Sequence, residues 1–244
     1  MSNNRPRTKP AARSGVPVRP SKKRRPPKRR GRRSRKPVLA AIIAVTAAAV
    51  VAVIVVATGG TSSHRSGPPG PEGVTLESGP ALAAAGAVPP AQGAAGFSVQ
   101  CGATEQLATH IHSHLAVFVN GQPRSIPLGV GFYGKVQITQ SPQGPFAAGT
   151  SDCLYWLHAH ASDGIIHAEG PGGQTFVLAQ FFAIWGQPLT ATQVGPAKGA
   201  ITAYINGHRY TDPIQNITLT SHEAIQLDVG TPIVPPQPVS FASL

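Results

Sequence analysis

Twenty consecutive residues, Val38 to Ala57, carry no charge, no proline and no glycine. This run constrains the chain more than any other feature. At a rise of about 1.5 Å per residue, a helix of that length spans roughly 30 Å, the hydrocarbon thickness of a bilayer. Arg32, Arg33, Arg35 and Lys36 precede it, and Thr58-Gly-Gly-Thr-Ser-Ser follows. Basic flanks stay on the cytoplasmic side. The sequence therefore predicts a single-pass transmembrane helix over 38–57 in the cell membrane, with an N-terminal cytoplasmic tail and an extracytoplasmic C-terminal part. The competing reading is a cleaved secretory signal ending at Val55-Val-Ala57. Signal cores usually run about 7–15 residues, which favours the uncleaved anchor.

Charge divides the chain at the same place. Sixteen of the 21 Lys and Arg residues lie in the first 36 positions, and no acidic residue precedes Glu72. The remaining five basic residues face nine acidic ones, so the outer part carries a net charge of −4. The tail, 1–37, reads as a disordered basic segment. No aromatic residue is interleaved to stack on bases, and Pro17, Pro20, Pro26 and Pro27 disfavour a helix, so no specific nucleic-acid partner is expected. Beside a membrane span, its natural partner is anionic lipid, at about 1 kcal/mol per basic residue.

Residues 58–98 are rich in Gly, Pro, Ala and Ser and read as a flexible tether. Residues 99–230 read as one extracytoplasmic domain, and 231–244 as a proline-rich tail with little structure of its own. Cys101 and Cys153 are the only cysteines. An even count in an oxidising compartment predicts a disulfide, although thiolate ligation of a metal is the alternative. Closing such a loop would stabilise the fold by roughly 4 kcal/mol in the chain-entropy model.

Within the domain, short strand signals alternate with turns. His114–Val119 runs into Asn120-Gly121 and Ala200–Ile205 into Asn206-Gly207, the strongest two-residue hairpin signals. The similarity of these two hairpins raises the question of a weak internal repeat. Leu154–Leu157 with Ile165-Ile166 forms a third strand pair, and Ala224–Val229 a last strand. Thr175–Trp185 reads as the one helix, with Val177, Leu178, Phe181, Phe182 and Trp185 at helical spacing and Gly186 as its stop. The expected class is α+β: a small domain dominated by antiparallel strands, with one short helix.

Histidines carry the functional signal. His110, His112 and His114 alternate, so on a strand they share one face. His158 and His160 do the same, followed by His167 and Glu169. Asp163-Gly164 is a favoured type I′ turn, which would set His160 opposite His167 and His158 opposite Glu169, with Cβ atoms about 4.5–5.5 Å apart. His110 and His114 would be separated by roughly 13 Å at about 3.3 Å per residue, so all three strand histidines cannot bind one ion. Imidazole is the commonest metal ligand. The candidate set is therefore His110, His112, His114, His158, His160, His167 and Glu169, with Glu169 as ligand, base or orienting group. A metal-free polar network or pH-responsive surface remains open. His64, His208 and His222 read as solvated.

Met1 is the only methionine, which argues against a thioether Cu(I) carrier. Imidazole with a carboxylate suits Zn(II), Cu(II), Ni(II) or Fe(II). From His110 to Gly186 the chain resembles a group of uncharacterised bacterial secreted or membrane-anchored domains. These share a His-x-His segment, a block like Tyr155-Trp-Leu-His-Ala-His160 through Gly164-Ile-Ile-His-Ala-Glu169, and a Phe-Phe-x-x-Trp-Gly helix end. The resemblance implies a shared architecture and a shared histidine site, and no particular activity. Three function classes follow: a divalent-metal-binding module, a metal-dependent enzyme with Glu169 or Asp163 as base, or a metal-free cell-envelope interaction module. Neither a nucleophile motif nor a phosphate-binding glycine loop is present to favour the enzyme.

Overall fold

The computed structural model describes residues 68–90, 98–241 and 244. The basic tail and the apolar run lie outside the described residues. Among the described residues, no helix is long and apolar enough to cross a membrane.

In chain order the first strands are β1 (Cys101–Gly102), β2 (Thr109–Val119), β3 (Gln122–Arg124), β4 (Phe132–Tyr133) and β5 (Val136–Ser141). Next come β6 (Gly144–Thr150), β7 (Cys153–Tyr155), β8 (Leu157–His158) and β9 (Ile165–Gly170). Helix α1 (Leu178–Trp185) precedes β10 (Leu189–Thr190), β11 (Gln193–Val194) and β12 (Ala197–Lys198). The last strands are β13 (Ile201–Ile205), β14 (His208–Tyr210) and β15 (Ala224–Val229). The result is a strand-dominated α+β domain.

The main sheet runs β14-β13-β15-β2-β9-β8, with β3 added to β2. Its pairs are antiparallel except β15 with β2, which is parallel. Both Asn-Gly hairpins form. Asn120 and Gly121 have φ of 50° and 74°, and Asn206 and Gly207 have 50° and 81°, the paired left-handed geometry that Asn-Gly tolerates. Helix α1 starts later than expected because Val177 bridges to Thr218 and Leu178 N–H donates to Ile217 O at 2.8 Å. It ends at Gly186, with φ 73°, as expected.

Alternation splits β2, β9 and β8 into two faces. Leu115, Val117, Leu157, Ile166 and Ala168 face one way and join Phe181, Phe182 and Trp185 of α1 in one buried core, with half-buried Ile111 packed against it. The histidines face the other. The expected Leu154–Leu157 strand is divided: β7 pairs with β1 and β4, whereas β8 pairs with β9. The Cys101–Cys153 disulfide joins β1 to β7, with Cα atoms 5.5 Å apart.

Two expectations need correction. First, the tether does not hold over residues 68–90. Val74 and Leu82 are buried. Ala84 O accepts the Trp185 Nε1–H at 2.7 Å, Val88 O accepts the Tyr155 hydroxyl at 3.1 Å, and Glu77 accepts the Ile126 N–H at 2.7 Å. A few apolar side chains and many backbone partners suffice to pin a segment whose composition alone suggests a tether. Second, the β8–β9 turn is longer than Asp163-Gly164. His158 lies opposite His167 and Leu157 opposite Ala168. After His158 the chain leaves β9 because Ala159 exchanges hydrogen bonds with Gly129 and Val130 (2.8 and 2.9 Å), and His160 O accepts Ala147 N–H at 2.8 Å. The register slips by two positions, which preserves the face of every side chain.

Candidate metal centre

The site is a patch across three neighbouring strands. Central β9 presents His167 and Glu169. On one side β2 sets His110 opposite Glu169 and His112 opposite His167; on the other, β8 sets His158 opposite His167. His160 lies just beyond β8, yet its ring stays within 4.6 Å of both the His158 and His167 centroids. Phe146 stacks on His160 at 4.6 Å, and Phe132 meets His158 and His160 edge-on at 5.6 and 5.3 Å. This apolar cover lies against His158 and His160, and His167 and Glu169 are buried beside them.

Backbone carbonyls orient the two innermost imidazoles. His158 Nδ1 lies 2.8 Å from Tyr155 O and His160 Nδ1 2.5 Å from Ala147 O, so each Nδ1–H donates to a carbonyl. That tautomer leaves both Nε2 atoms as acceptors, and they face each other at 3.0 Å. Burial, reinforced by neighbouring imidazoles, holds His158 well below the usual histidine range and His160 below it. Both rings are therefore neutral near pH 7. Glu169 Oε2 is 3.9 Å from His158 Nε2 and is buried without a hydrogen-bond partner. Three acceptor atoms thus converge where a donor or a cation is needed. A ligating histidine whose second nitrogen donates to a carbonyl is the usual arrangement behind a metal.

His167 differs. Its Nδ1 is 3.1 Å from Glu169 Oε1 and its Nε2 2.5 Å from Glu72 Oε1. Burial opposes its charge, but the two carboxylates outweigh burial and push its pKa up to about 9. Glu72 in turn is disfavoured by burial but held below the usual carboxylate range by His167. For Asp163, burial together with the Glu72 charge pushes the carboxyl up to about 8. Asp163 is thus held largely as the neutral acid at pH 7. Burial and the Glu169 charge also raise Glu105, whose carboxylate stands 3.5 Å from His160 Nε2.

Among the described residues, two groups of side chains are placed so that they could hold a metal ion. One is His158, His160, His167 and Glu169; the other is His110, His112, His167 and Glu169; in each, one ligand atom per residue lies within 4.8 Å of the others. His110 Nε2 is 3.3 Å from Glu169 Oε1, and His112 meets His110 and His167 edge-on at 4.6 and 4.5 Å. His114 belongs to neither group: it is fully buried opposite Ile165. His208 and His222 are exposed, and His64 is outside the described residues. Sequence reasoning missed Glu72 and Glu105. The signal for Glu72 was present, as the first carboxylate of the chain within a Gly-Pro stretch.

Comparison with protein-family models, curated proteins and solved structures finds no match.

Proposed function

We propose that this protein is a membrane-anchored extracytoplasmic module that binds a divalent transition metal through its histidine cluster. The observation that carries the reading is the pair of facing Nε2 acceptors on His158 and His160, 3.0 Å apart, with the unsatisfied Glu169 Oε2 beside them. Two imidazoles and a carboxylate suit Zn(II), Cu(II), Ni(II) or Fe(II), and the disulfide removes both thiolates from the choice. In this reading the helix over 38–57 anchors the chain, the basic tail meets anionic lipid on the cytoplasmic side, and the domain stands outside. Protease added to intact cells would then remove the domain and leave the tail protected.

The test is elemental analysis of the full chain purified in detergent, beside a His158→Ala/His160→Ala variant. Stoichiometric metal in the first and its loss in the second support the reading. No metal above background, with no change in melting temperature on adding Zn(II), Cu(II) or Ni(II), overturns it in favour of a metal-free interaction module. A metal-dependent enzyme is a second reading, favoured by the exposed Glu105 carboxylate near His160. Three protein ligands would leave a coordination position open to water beside that potential base.

A further inference from the structure

We propose that the patch is a two-ion centre, in which Glu169 bridges an enclosed ion and a solvent-facing one. This rests on the metal-binding reading above and adds a second ion to it. The arrangement of donors carries it. Central β9 supplies the two residues common to both candidate groups, His167 and Glu169, while β2 and β8 flank it with two histidines each, counting His160 just beyond β8. Neighbouring strands are about 4.8 Å apart, so the flanking pairs are separated by roughly twice that distance. One four-coordinate ion cannot gather both pairs.

The two oxygens of Glu169 divide between the groups. Oε1 lies 3.3 Å from His110 Nε2 and 3.1 Å from His167 Nδ1, whereas Oε2 lies 3.9 Å from His158 Nε2 and has no hydrogen-bond partner. A carboxylate presenting one oxygen to each of two imidazole sets is built to span a pair of ions, which in two-metal sites stand about 3.5–4 Å apart. The enclosed ion takes His158 Nε2, His160 Nε2 and Glu169 Oε2. The outer ion takes His110, His112, Glu169 Oε1 and His167 Nδ1, whose proton it displaces to solvent on binding. Glu72 engages His167 Nε2 and so turns Nδ1 toward the outer position.

Exposure separates the two positions. The His158 side chain is completely buried, whereas 43% of the His110 side chain is exposed. The outer ion is consequently the exchangeable one. The ligand class is a pair of divalent transition metals.

The full chain in detergent, stripped with chelator and dialysed against Zn(II), should hold two ions per chain. His110→Ala/His112→Ala should hold one, and the single His110→Ala, a change at a half-exposed side chain, should release its second ion more readily than the native chain. Loaded with Co(II), the native chain should show two spin-coupled ions by electron paramagnetic resonance, and the double variant an isolated one. One Zn(II) per native chain, lost in His158→Ala/His160→Ala, would overturn the second ion while leaving the metal-binding reading intact. No bound metal after dialysis against Zn(II), Cu(II) or Ni(II) in turn would overturn both. Two ions persisting in His110→Ala/His112→Ala, or a second ion held as tightly in His110→Ala as in the native chain, would overturn the placement.

Discussion

His158 and His160 point their Nε2 atoms at each other across 3.0 Å, and each ring spends its only N–H on a backbone carbonyl. Two neutral acceptors in that position repel unless a proton or a cation lies between them. Burial and the neighbouring charges make the proton the poorer choice. A divalent ion should therefore stabilise the fold strongly. At a free concentration about 100 times the dissociation constant, binding to the folded state alone adds about 2.7 kcal/mol. Thermal unfolding of chelator-treated chain, with and without Zn(II), should show a melting temperature raised by several degrees. His160→Gln, which cannot present the same ring nitrogen, should abolish most of the rise.

How much of this could be read from the sequence follows from what each residue depends on. Alternation alone places His110 and His112 on one face and His167 with Glu169 on another strand's matching face. The slip of two positions between β8 and β9 leaves that parity untouched, so the cluster survives a wrong register. Which histidine opposes which was not readable, because Ala159 and His160 are held by Gly129, Val130 and Ala147, partners far from the local turn signal. Glu72 was hidden for a related reason. It is 95 residues from the imidazole it holds, inside a stretch whose Gly and Pro content imitates a tether.

Glu72 ties that stretch to the site, so trimming the chain should show it. A soluble fragment beginning at residue 68 keeps Glu72, Glu77 and Leu82; one beginning at residue 98 lacks all three. Removing one member of a buried hydrogen-bonded charge pair costs about 3–5 kcal/mol, before the loss of Leu82 from the core is counted. Circular dichroism and thermal melts should find the longer fragment cooperatively folded and the shorter one largely unfolded at 37 °C. Equal melting temperatures would show that residues 68–90 contribute nothing to the fold.

Gly131 lies against β8, the strand that carries His158. Its φ is 83°, and a Cβ placed there would stand 2.3 Å from Leu157 O and 2.7 Å from His158 Cβ. Both the left-handed conformation and the contact oppose a side chain. Gly131→Ala should destabilise the chain by more than about 1 kcal/mol, through backbone strain and a displaced His158. Denaturant melts measure the first effect, and Zn(II) titration the second, as weaker binding to the chain that remains folded.

Breaking the Cys101–Cys153 bridge should act on stability before it acts on the site, because neither sulfur belongs to either ligand group. Cys101→Ser/Cys153→Ser removes a loop closure worth roughly 4 kcal/mol in the chain-entropy model. The variant should melt well below the native chain. At a temperature where it is still folded, it should bind the same number of Zn(II) ions.

The metal-free chain should lose stability on both sides of neutrality, for separate reasons. Burial and neighbouring imidazoles depress His158 and His160, and lower His112 to about 4. Their contribution is intact above the unfolded value of about 6.5 and is lost as pH falls toward 4, because the unfolded chain binds protons that the folded one refuses. His167 has the opposite sign: raised to about 9, it contributes fully below 6.5 and the contribution disappears as pH rises through 9. Asp163, raised to about 8, favours the fold as a neutral acid; that contribution is complete below the unfolded value of 3.8 and is lost as pH rises to 8. Asp163→Asn cannot ionise. The difference in melting temperature, variant minus native, should therefore rise between pH 5 and pH 8. Identical slopes in the two proteins, both measured in chelator, would show that Asp163 is not the group that titrates there.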